Sequence, residues 1–172
     1  VLFSEEVLSK KVKELAEQIS KDYAGKELVV VGILKGSVVF TAELIKNIDV
    51  YCELDFMAVS SYGNSTETSG VVRILKDLDS SVEGKHILIV EDIVDTGTTL
   101  SYLLKYLKAR KAASIEIVAL LNKPARRKVE LPVKYIGFEV PDAFIVGYGI
   151  DYAEKYRNLP YIGILKPEIY EK

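Results

Sequence analysis

The sequence is poor in cysteine, histidine, methionine and tryptophan. It contains one Cys, one His, one Met and no Trp among 172 residues. Cys52 has no partner for an internal disulfide, which fits a reducing cytoplasm. Because Cys52 lies in an alternating apolar segment, we expect a buried structural cysteine rather than a reactive thiol. A histidine-rich metal site is excluded because His86 is the sole histidine, and we expect His86 at the surface.

Long apolar runs and an excess of basic residues are also missing. The apolar runs are strand-sized, well short of the ~20 residues that a membrane span needs, and the start of the chain lacks the pattern of a signal peptide. A formal net charge of −2 argues against general nucleic-acid binding. With 49% apolar and 28% charged residues, the composition predicts a single cytoplasmic domain over residues 1–172 that binds neither nucleic acid nor membranes.

The apolar pattern predicts strands that alternate with helices. Such alternation favours a twisted, mainly parallel α/β sheet flanked by helices. The chain ends, at about 1–10 and 152–172, are expected to form a small hood at the sheet edge. Strands are predicted at 28–34, 50–59, 71–75, 87–90, 115–121 and 133–138, helices at 5–23, after 35–37 and at 98–110, and loops at 60–70 and 91–97.

The most informative segment joins a buried strand to a helix through acidic and small residues. Glu91 and Asp92 follow the strand, and residues 95–99 (Asp-Thr-Gly-Thr-Thr) open the helix. Hydroxyls and free N–H groups at the positive end of a helix bind phosphate, and Gly97 permits a positive φ. The two carboxylates would repel a bare phosphate, but they accept hydrogen bonds from a sugar diol and suit magnesium. The segment therefore predicts a ligand with phosphate at one end and hydroxyls or a hydrated cation beside it.

The specificity of the segment 91–99 and the strand geometry at its two acids both matter for this interpretation. Each of these residues alone would also fit a capped helix with solvated acids, whereas the complete string is much more specific. Neighbouring side chains on a strand point to opposite faces. Glu91 and Asp92 are therefore expected to meet one ligand only if the pleat breaks at that point.

The string resembles the phosphoribosyl pyrophosphate motif of the type I phosphoribosyltransferases. The resemblance runs from about Ile33 to Arg157 and is closest to the hypoxanthine-guanine branch of that family. The other segments that carry it are Leu34-Lys35-Gly36, Ser61-Tyr62, Leu121-Asn122-Lys123, Pro141 to Tyr148, Asp151-Tyr152 and Arg157. The resemblance implies the type I phosphoribosyltransferase fold and a cis Leu34–Lys35 peptide bond.

The resemblance also implies a role for each matching residue. Asp95 would be the catalytic acid-base residue, taking the proton from N7 of the purine. Those assigned to pyrophosphate are Lys35, Gly36, Ser61, Tyr62 and Arg157. Those assigned to the ribose and its 5′-phosphate are Glu91, Asp92, Asp95, Thr96, Gly97, Thr98 and Thr99. Those assigned to the purine are Lys123, Phe144, Ile145 and Asp151, and those assigned to a magnesium ion are Glu91, Asp92 and Asp151.

The reaction implied by the resemblance belongs to purine salvage. Hypoxanthine or guanine and phosphoribosyl pyrophosphate would give IMP or GMP and pyrophosphate, with Mg²⁺ as cofactor and a homodimer or homotetramer as the assembly. Lys123 would favour 6-oxopurines over adenine, because an ammonium donates to a carbonyl oxygen but not to an amino group. Arg126, Arg127 and Lys128, which follow closely, are expected to be solvated. Thr98 replaces the lysine of some family members, although its hydroxyl still suits phosphate.

Two other functions stay open at this point. The first is a non-catalytic regulator that keeps this fold to sense phosphoribosyl pyrophosphate, which would need an added element for binding nucleic acid. The second is an enzyme of the same fold that acts on xanthine or a pyrimidine.

Overall fold

The computed structural model describes residues 1–61 and 72–171 and has a six-stranded sheet at its centre. The strands lie in the order β3-β2-β1-β4-β5-β6, and all neighbours are parallel except β2 and β3. The mainly parallel α/β prediction is confirmed. The strands are β1 Leu28–Leu34, β2 Cys52–Ser61, β3 Val72–Lys76, β4 His86–Val94, β5 Ser114–Asn122, β6 Tyr135–Glu139, β7 Ile145–Val146 and β8 Gly163–Ile164, and the helices are α1 Glu5–Asp22, α2 Val38–Asn47, α3 Thr98–Lys108 and α4 Pro167–Tyr170.

The sheet is covered on both faces, which explains its continuous apolar strands. On one face, Val30 and Leu88 pack in a cluster with residues of α1 and α2 such as Leu8. On the other face, Ile89 packs in a second cluster with Leu103 of α3. Successive residues of one strand therefore enter different cores. Among the described residues, no helix is both long and apolar enough to cross a membrane.

Strand β4 is longer than the sequence pattern predicts. The predicted loop 91–97 is wrong in its first part, because β4 continues to Val94. Its pairing with β1 ends at Val90, but its pairing with β5 continues until Val94 lies opposite Asn122. The β5 backbone thus keeps two acidic residues in a strand that their polarity alone would place in a loop.

Three smaller expectations need correction. Cys52 and His86 are both half-buried, and neither is fully in the core or at the surface. The Nδ1 atom of His86 lies 2.6 Å from the Ser114 hydroxyl, across the β4–β5 pair. In β2, the alternating apolar side is only partly covered, since Leu54 is 45% exposed, whereas Met57 on the opposite side is fully buried. The local pattern identified the strand but not which side of it is covered.

Both chain ends meet in one small structure. Phe3 forms an antiparallel bridge with Ile162, and β7 pairs with β8. The ring of Phe3 also stacks on that of Phe138, at the end of β6, with 4.0 Å between the centroids. These contacts join the N-terminus and the C-terminal segment to the far edge of the main sheet.

A partly buried carboxylate connects the two antiparallel strands that flank residues 62–71. Asp55 Oδ1 accepts from the Phe56 N–H at 2.8 Å and from Lys76 Nζ at 3.3 Å, and Asp55 Oδ2 accepts from the Asp79 N–H at 2.8 Å. Burial raises the Asp55 pKa, but the hydrogen bonds from Asp79, Phe56 and Lys76 outweigh burial and lower it below the ordinary value. The Asp55 carboxylate therefore stabilises the folded hairpin in its charged form.

We expect Asp55→Asn to lower the free energy of unfolding at neutral pH by about 1–3 kcal/mol, because it weakens charge-assisted hydrogen bonds in a partly buried position. The lowered folded pKa makes this stabilisation complete above the ordinary Asp pKa of about 3.9 and removes it as the pH falls through the folded value. The difference should therefore shrink in acid. Urea denaturation at pH 7 and pH 3 measures it.

Asp79→Asn is the matched control, because the Asp79 side chain also pairs with Lys76 but is 77% exposed. It should change the free energy of unfolding by less than about 0.5 kcal/mol. Equal effects of the two substitutions would contradict the role assigned to Asp55.

Candidate active site

The carboxyl ends of the three central strands bring the predicted site segments together. β1, β4 and β5 are parallel neighbours, so the segments that follow them leave from the same edge of the sheet. The Lys123 N–H, just after β5, donates to the Val94 carbonyl at the end of β4 at 2.8 Å. This bond connects the lysine segment to the start of the acidic loop.

The loop between β4 and α3 is organised by its own side chains. Asp95 Oδ1 accepts from the Thr96 N–H at 2.6 Å, and the hydroxyls of Thr96 and Thr98 lie 2.8 Å apart. Gly97 has a φ of 80°, in the left-handed region, and ends the loop directly before α3. A small cavity of about 70 Å³ is lined by this loop and by Glu91. The loop thus presents hydroxyls and the positive end of an 11-residue helix to that cavity.

Glu91 and Asp92 contact each other, since the Asp92 N–H lies 3.2 Å from Glu91 Oε1, and each also has a different further neighbour. Glu91 lines the small cavity beside the loop of residues 95–97. Asp92 lies against Gly36, where a Cβ atom would sit only 2.0 Å from Asp92 Oδ2. The two acids thus lie beside different parts of the same strand end, and their contact with one ligand stays a prediction.

The two carboxyls also influence each other electrostatically. Burial and the neighbouring Asp92 and Asp95 carboxylates raise the pKa of Glu91 well above its ordinary value. Burial raises the pKa of Asp92 too, although hydrogen bonds, including one from the Ile93 N–H at 2.7 Å, and the positive charge of Arg157 oppose that rise. Two carboxyls in this state favour a ligand that brings positive charge or hydroxyl donors.

Close backbone contacts position the turn between β1 and α2. Gly36 permits the approach of Asp92, and a Cβ atom on Gly149 would lie 2.7 Å from the Gly36 carbonyl oxygen. Gly149 also has a positive φ of 96°. Arg157 holds Gly149 in place, since its Nη1 donates to the Gly149 carbonyl at 2.8 Å and its own carbonyl accepts from the Gly149 N–H at 2.9 Å.

The cationic side chains beside this turn are paired with acids. Arg157 Nη2 lies 3.4 Å from Asp151 Oδ1 and 3.2 Å from Glu154 Oε1, and Lys35 Nζ lies 3.8 Å from Glu154 Oε2. Among the described residues, Arg157 Nε is buried without a hydrogen-bond partner. The Leu34–Lys35 peptide bond is cis, as the resemblance implies.

Lys123, just after β5, is hydrogen-bonded to the residue that precedes an exposed aromatic ring. Lys123 Nζ donates to the Ala143 carbonyl at 2.8 Å, and the next residue, Phe144, is 50% exposed. The ring of Phe144 contacts that of Tyr170, with 4.2 Å between centroids, and that of Tyr152 edge-on at 6.3 Å. An amine donor and an exposed ring face thus lie next to each other, which suits a planar ligand with a carbonyl group.

A cavity larger than the one beside Glu91 lies away from this edge. It has a volume of about 780 Å³ and lies between α1, α2 and residues 157–160. Arg157 is the one residue assigned to the site that lines it. By volume alone, that cavity would be the first candidate for a ligand site. The hydroxyls, carboxylates and amines that could bind a charged ligand lie instead at the strand ends.

Comparison with known proteins agrees with the chemistry of the strand ends. Residues 4–153 match the family model of the phosphoribosyl transferase domain. The chain belongs to the phosphoribosyltransferase family. Within that family it is an enzyme similar to proteins of the hypoxanthine-guanine type.

The relatives match nearly the whole chain. It is 60% identical over 171 residues to the hypoxanthine-guanine phosphoribosyltransferase of Bacillus subtilis, covering 99% of this chain and 95% of that protein. It is 57% identical over 170 residues to the enzyme of the same name from Staphylococcus aureus, with the same shares covered. A crystal structure of a hypoxanthine phosphoribosyltransferase from Staphylococcus aureus superposes with a TM-score of 0.98 at 56% identity, covering 100% of this chain and 94% of that one.

The structure describes most, but not all, of the predicted site residues. The acidic loop, the Lys35–Gly36 turn, Arg157 and Asp151 lie around the ends of β1 and β4, with Lys123 just after β5. Ile145 is buried and belongs to β7. Tyr62 lies outside the described residues, and for Ser61 only the backbone is described, as the last residue of β2. The described residues contain no group of three or more Asp, Glu, His or Cys side chains that could hold a metal ion by themselves.

Arg127 supports the loop that precedes α3, a role that the sequence did not indicate. The expectation that Arg127 is solvated is wrong. Its Nε donates to the Asp95 carbonyl at 3.0 Å, its Nη2 donates to the buried Asn122 side chain, and its stem packs against Gly97. The local sequence gives no such signal, because Arg126 and Lys128 on either side are exposed, as expected.

We expect Arg127→Gln to lower the free energy of unfolding by about 1–3 kcal/mol, since it leaves the Asn122 side chain and the Asp95 carbonyl without their donor. It should also weaken turnover, because the backbone of Asp95 loses its support. Denaturation and steady-state assays measure the two effects. Arg126→Gln is the control: Arg126 is 49% exposed and pairs only with Asp142 among the described residues. Similar behaviour of both variants would contradict the role given to Arg127.

Proposed function

We propose that the chain transfers the 5-phosphoribosyl group from phosphoribosyl pyrophosphate to hypoxanthine or guanine, giving IMP or GMP and pyrophosphate in purine salvage. One observation carries the proposal: the loop of residues 95–97, the two carboxylates and the segment with Lys123 meet at one edge of the sheet, and Lys123 contacts Ala143 beside Phe144. The names of the relatives at 57–60% identity support the same reaction.

The donor would lie along the ends of β4 and β1. Its 5′-phosphate would bind the hydroxyls and N–H groups of Thr96, Gly97, Thr98 and Thr99 at the start of α3. Its ribose hydroxyls would donate to Glu91 and Asp92, whose raised pKa values indicate that they need such partners. Its pyrophosphate would bind at Lys35, Gly36, Ser61, Tyr62 and Arg157.

The base would lie between Lys123 and Phe144. Lys123 already donates one hydrogen to the Ala143 carbonyl, and an ammonium has two more hydrogens to offer. The 6-oxo group of hypoxanthine or guanine accepts such a hydrogen bond, whereas the 6-amino group of adenine does not. Phe144 supplies a stacking face, and the backbone at Ile145 and the nearby Asp151 complete this side of the site.

The residues present fit a magnesium ion. Adjacent carboxyls with raised pKa values would be stabilised by a divalent cation, and Mg²⁺ usually takes one or two carboxylates plus oxygens of its substrate. Glu91, Asp92 and Asp151 would hold it only together with oxygens of the donor, because the described residues contain no group of three such side chains that could hold a metal ion by themselves. Bound there, Mg²⁺ would offset the negative charge of the pyrophosphate.

Asp95 would act on the purine proton. In the proposed reaction the bond from C1 of the ribose to pyrophosphate breaks, its electron pair leaves with pyrophosphate, and the ribose acquires oxocarbenium character. N9 of the base attacks C1, and the N7 proton passes to the Asp95 carboxylate. Lys35 and Arg157 would stabilise the leaving pyrophosphate.

The other two functions have less support. Relatives that match nearly the full chain are named as enzymes, so a non-catalytic regulator is not favoured. Xanthine or a pyrimidine as the acceptor stays an outcome of the base assay described below.

We also propose a cytoplasmic homodimer or homotetramer that binds neither nucleic acid nor membranes. The net charge of −2 supports the absence of nucleic-acid binding. A monomer in light scattering would contradict the assembly.

The test of base choice is a steady-state panel of purines and pyrimidines with the donor and magnesium. Hypoxanthine and guanine should be used well, adenine should be a poor substrate, and excess chelator should stop turnover. Lys123→Ala should lower kcat/KM for the 6-oxopurines roughly 30- to 150-fold. This corresponds to a loss of about 2–3 kcal/mol of transition-state stabilisation, the scale of a charged hydrogen bond. Lys128→Ala, which removes an exposed lysine five residues away, should leave it nearly unchanged. Efficient use of adenine by the parent would refute the role of Lys123.

The acid-base role of Asp95 is tested by Asp95→Asn. The amide keeps the shape and can still hydrogen-bond, but it cannot take a proton near neutral pH. Turnover should fall by ~10²–10⁴ while the affinity for phosphoribosyl pyrophosphate, measured by calorimetry, stays close to that of the parent. Glu91→Gln should instead weaken donor binding. Near-parental turnover of Asp95→Asn, or a loss of donor affinity that accounts for the whole defect, would refute the assignment.

A further inference from the structure

A carboxylate already lies between the two cations that are proposed to bind pyrophosphate. Glu154 Oε2 is 3.8 Å from Lys35 Nζ, and the two Glu154 oxygens are 3.2 and 3.4 Å from Arg157 Nη2. The cations come from distant parts of the chain, one from the turn after β1 and one from the C-terminal segment. Glu154 is the residue that bridges them.

The backbone of Glu154 is held in a defined turn. Its N–H donates to Asp151 Oδ2 at 2.9 Å, and Tyr152 and Lys155 exchange two backbone hydrogen bonds of 3.0 Å around it. Ala153 and Glu154 have φ values of 52° and 64°, in the left-handed region that side chains rarely adopt. The turn therefore brings the Glu154 carboxylate to the cations at a conformational cost.

The side chain of Glu154, in contrast, has room to move away. It is 67% exposed, and its ion pairs with Lys35 and Arg157 lie in water, where such pairs are weak. Asp151 differs, because its carboxylate is 30% exposed and its second oxygen holds the turn. Of the two acids beside Arg157, Glu154 is the one that can leave while the turn stays.

We propose that Glu154 is a built-in competitor of pyrophosphate. It pairs with Lys35 and Arg157 when the pyrophosphate subsite is empty, moves aside when the pyrophosphate group binds, and returns when pyrophosphate leaves. Its negative charge lowers the affinity of the subsite, which favours release of the product. The inference rests on the proposed function, because it takes the pyrophosphate role of Lys35 and Arg157 as given.

A purely structural role for Glu154 leads to the opposite result. If its carboxylate served to aim Arg157 at the ligand, neutralising it would weaken binding. The sign of the change in pyrophosphate affinity therefore separates a competitor from a positioning residue.

The experiment measures binding of pyrophosphate in the presence of magnesium by calorimetry. Glu154→Gln should bind it roughly two- to tenfold more tightly than the parent, the range for losing one or two exposed ion pairs. Pyrophosphate should dissociate more slowly, and the gain should shrink at high salt because the pairs are exposed. Glu154→Asn should behave alike, since asparagine tolerates the left-handed backbone.

Glu17→Gln is the matched control, because Glu17 is an exposed acid in an ion pair with Lys21 on α1. It removes the same charge and should not change the affinity. Unchanged or weaker binding by both Glu154 variants, relative to Glu17→Gln, would overturn the inference. If the parent neither turns over hypoxanthine or guanine nor binds pyrophosphate, the proposed function fails instead.

Discussion

The two neighbouring carboxyls at the end of β4 are the constraint on which the rest of the site depends. Glu91 and Asp92 lie where burial raises the pKa of both, and the neighbouring Asp92 charge raises the pKa of Glu91 further. A fold that kept them only for stability would gain nothing from this arrangement, since buried like charges cost free energy unless they are compensated. Their presence makes sense when hydroxyls or a cation of a ligand complete their surroundings.

Much of the surrounding structure accommodates these acids. Gly36 lacks a side chain where Asp92 approaches, and Gly149 lacks one where the Gly36 carbonyl approaches. Arg157 holds Gly149 through two hydrogen bonds, and its charge favours the ionised form of Asp92. A side chain at either glycine would therefore disturb the acid, the turn and the arginine together. This coupling joins the end of β4 to the C-terminal segment more than 50 residues away in sequence.

The loop of residues 95–97, between β4 and α3, is supported in a different way, by β5 and the residues after it. The N–H groups of Lys123 and Lys128 donate to the carbonyls of Val94 and Thr96, and Arg127 donates to that of Asp95. The segment around Lys123 and the loop before α3 are thereby fixed relative to each other. Such rigid support is what a transfer between two bound substrates requires, because the reacting atoms must be held in line.

Much of the fold follows from local pattern. The continuous apolar run at 28–34 and the capped amphipathic helix after Ser4 are strong signals, and both elements have the predicted starts. The pattern failed where long-range pairing decides: β4 extends to Val94 because β5 pairs with it, although the residues are polar. It also could not tell which side of β2 is covered, since Leu54 is apolar and yet exposed.

The sequence by itself determined which chemical groups are present. These are the acidic string, the threonine-rich loop, and Lys35, Lys123 and Arg157, which resemble residues of a phosphoribosyltransferase site. Residue types and short spacing carry that information because each motif is read along one element. Only the tertiary structure decided which groups meet. Arg127 supports Asp95 while its neighbours are solvated, Asp92 lies against Gly36, and Glu154 bridges Lys35 and Arg157. These contacts join segments that are distant along the chain, so their geometry depends on how the strands are ordered and packed, and no local pattern encodes it.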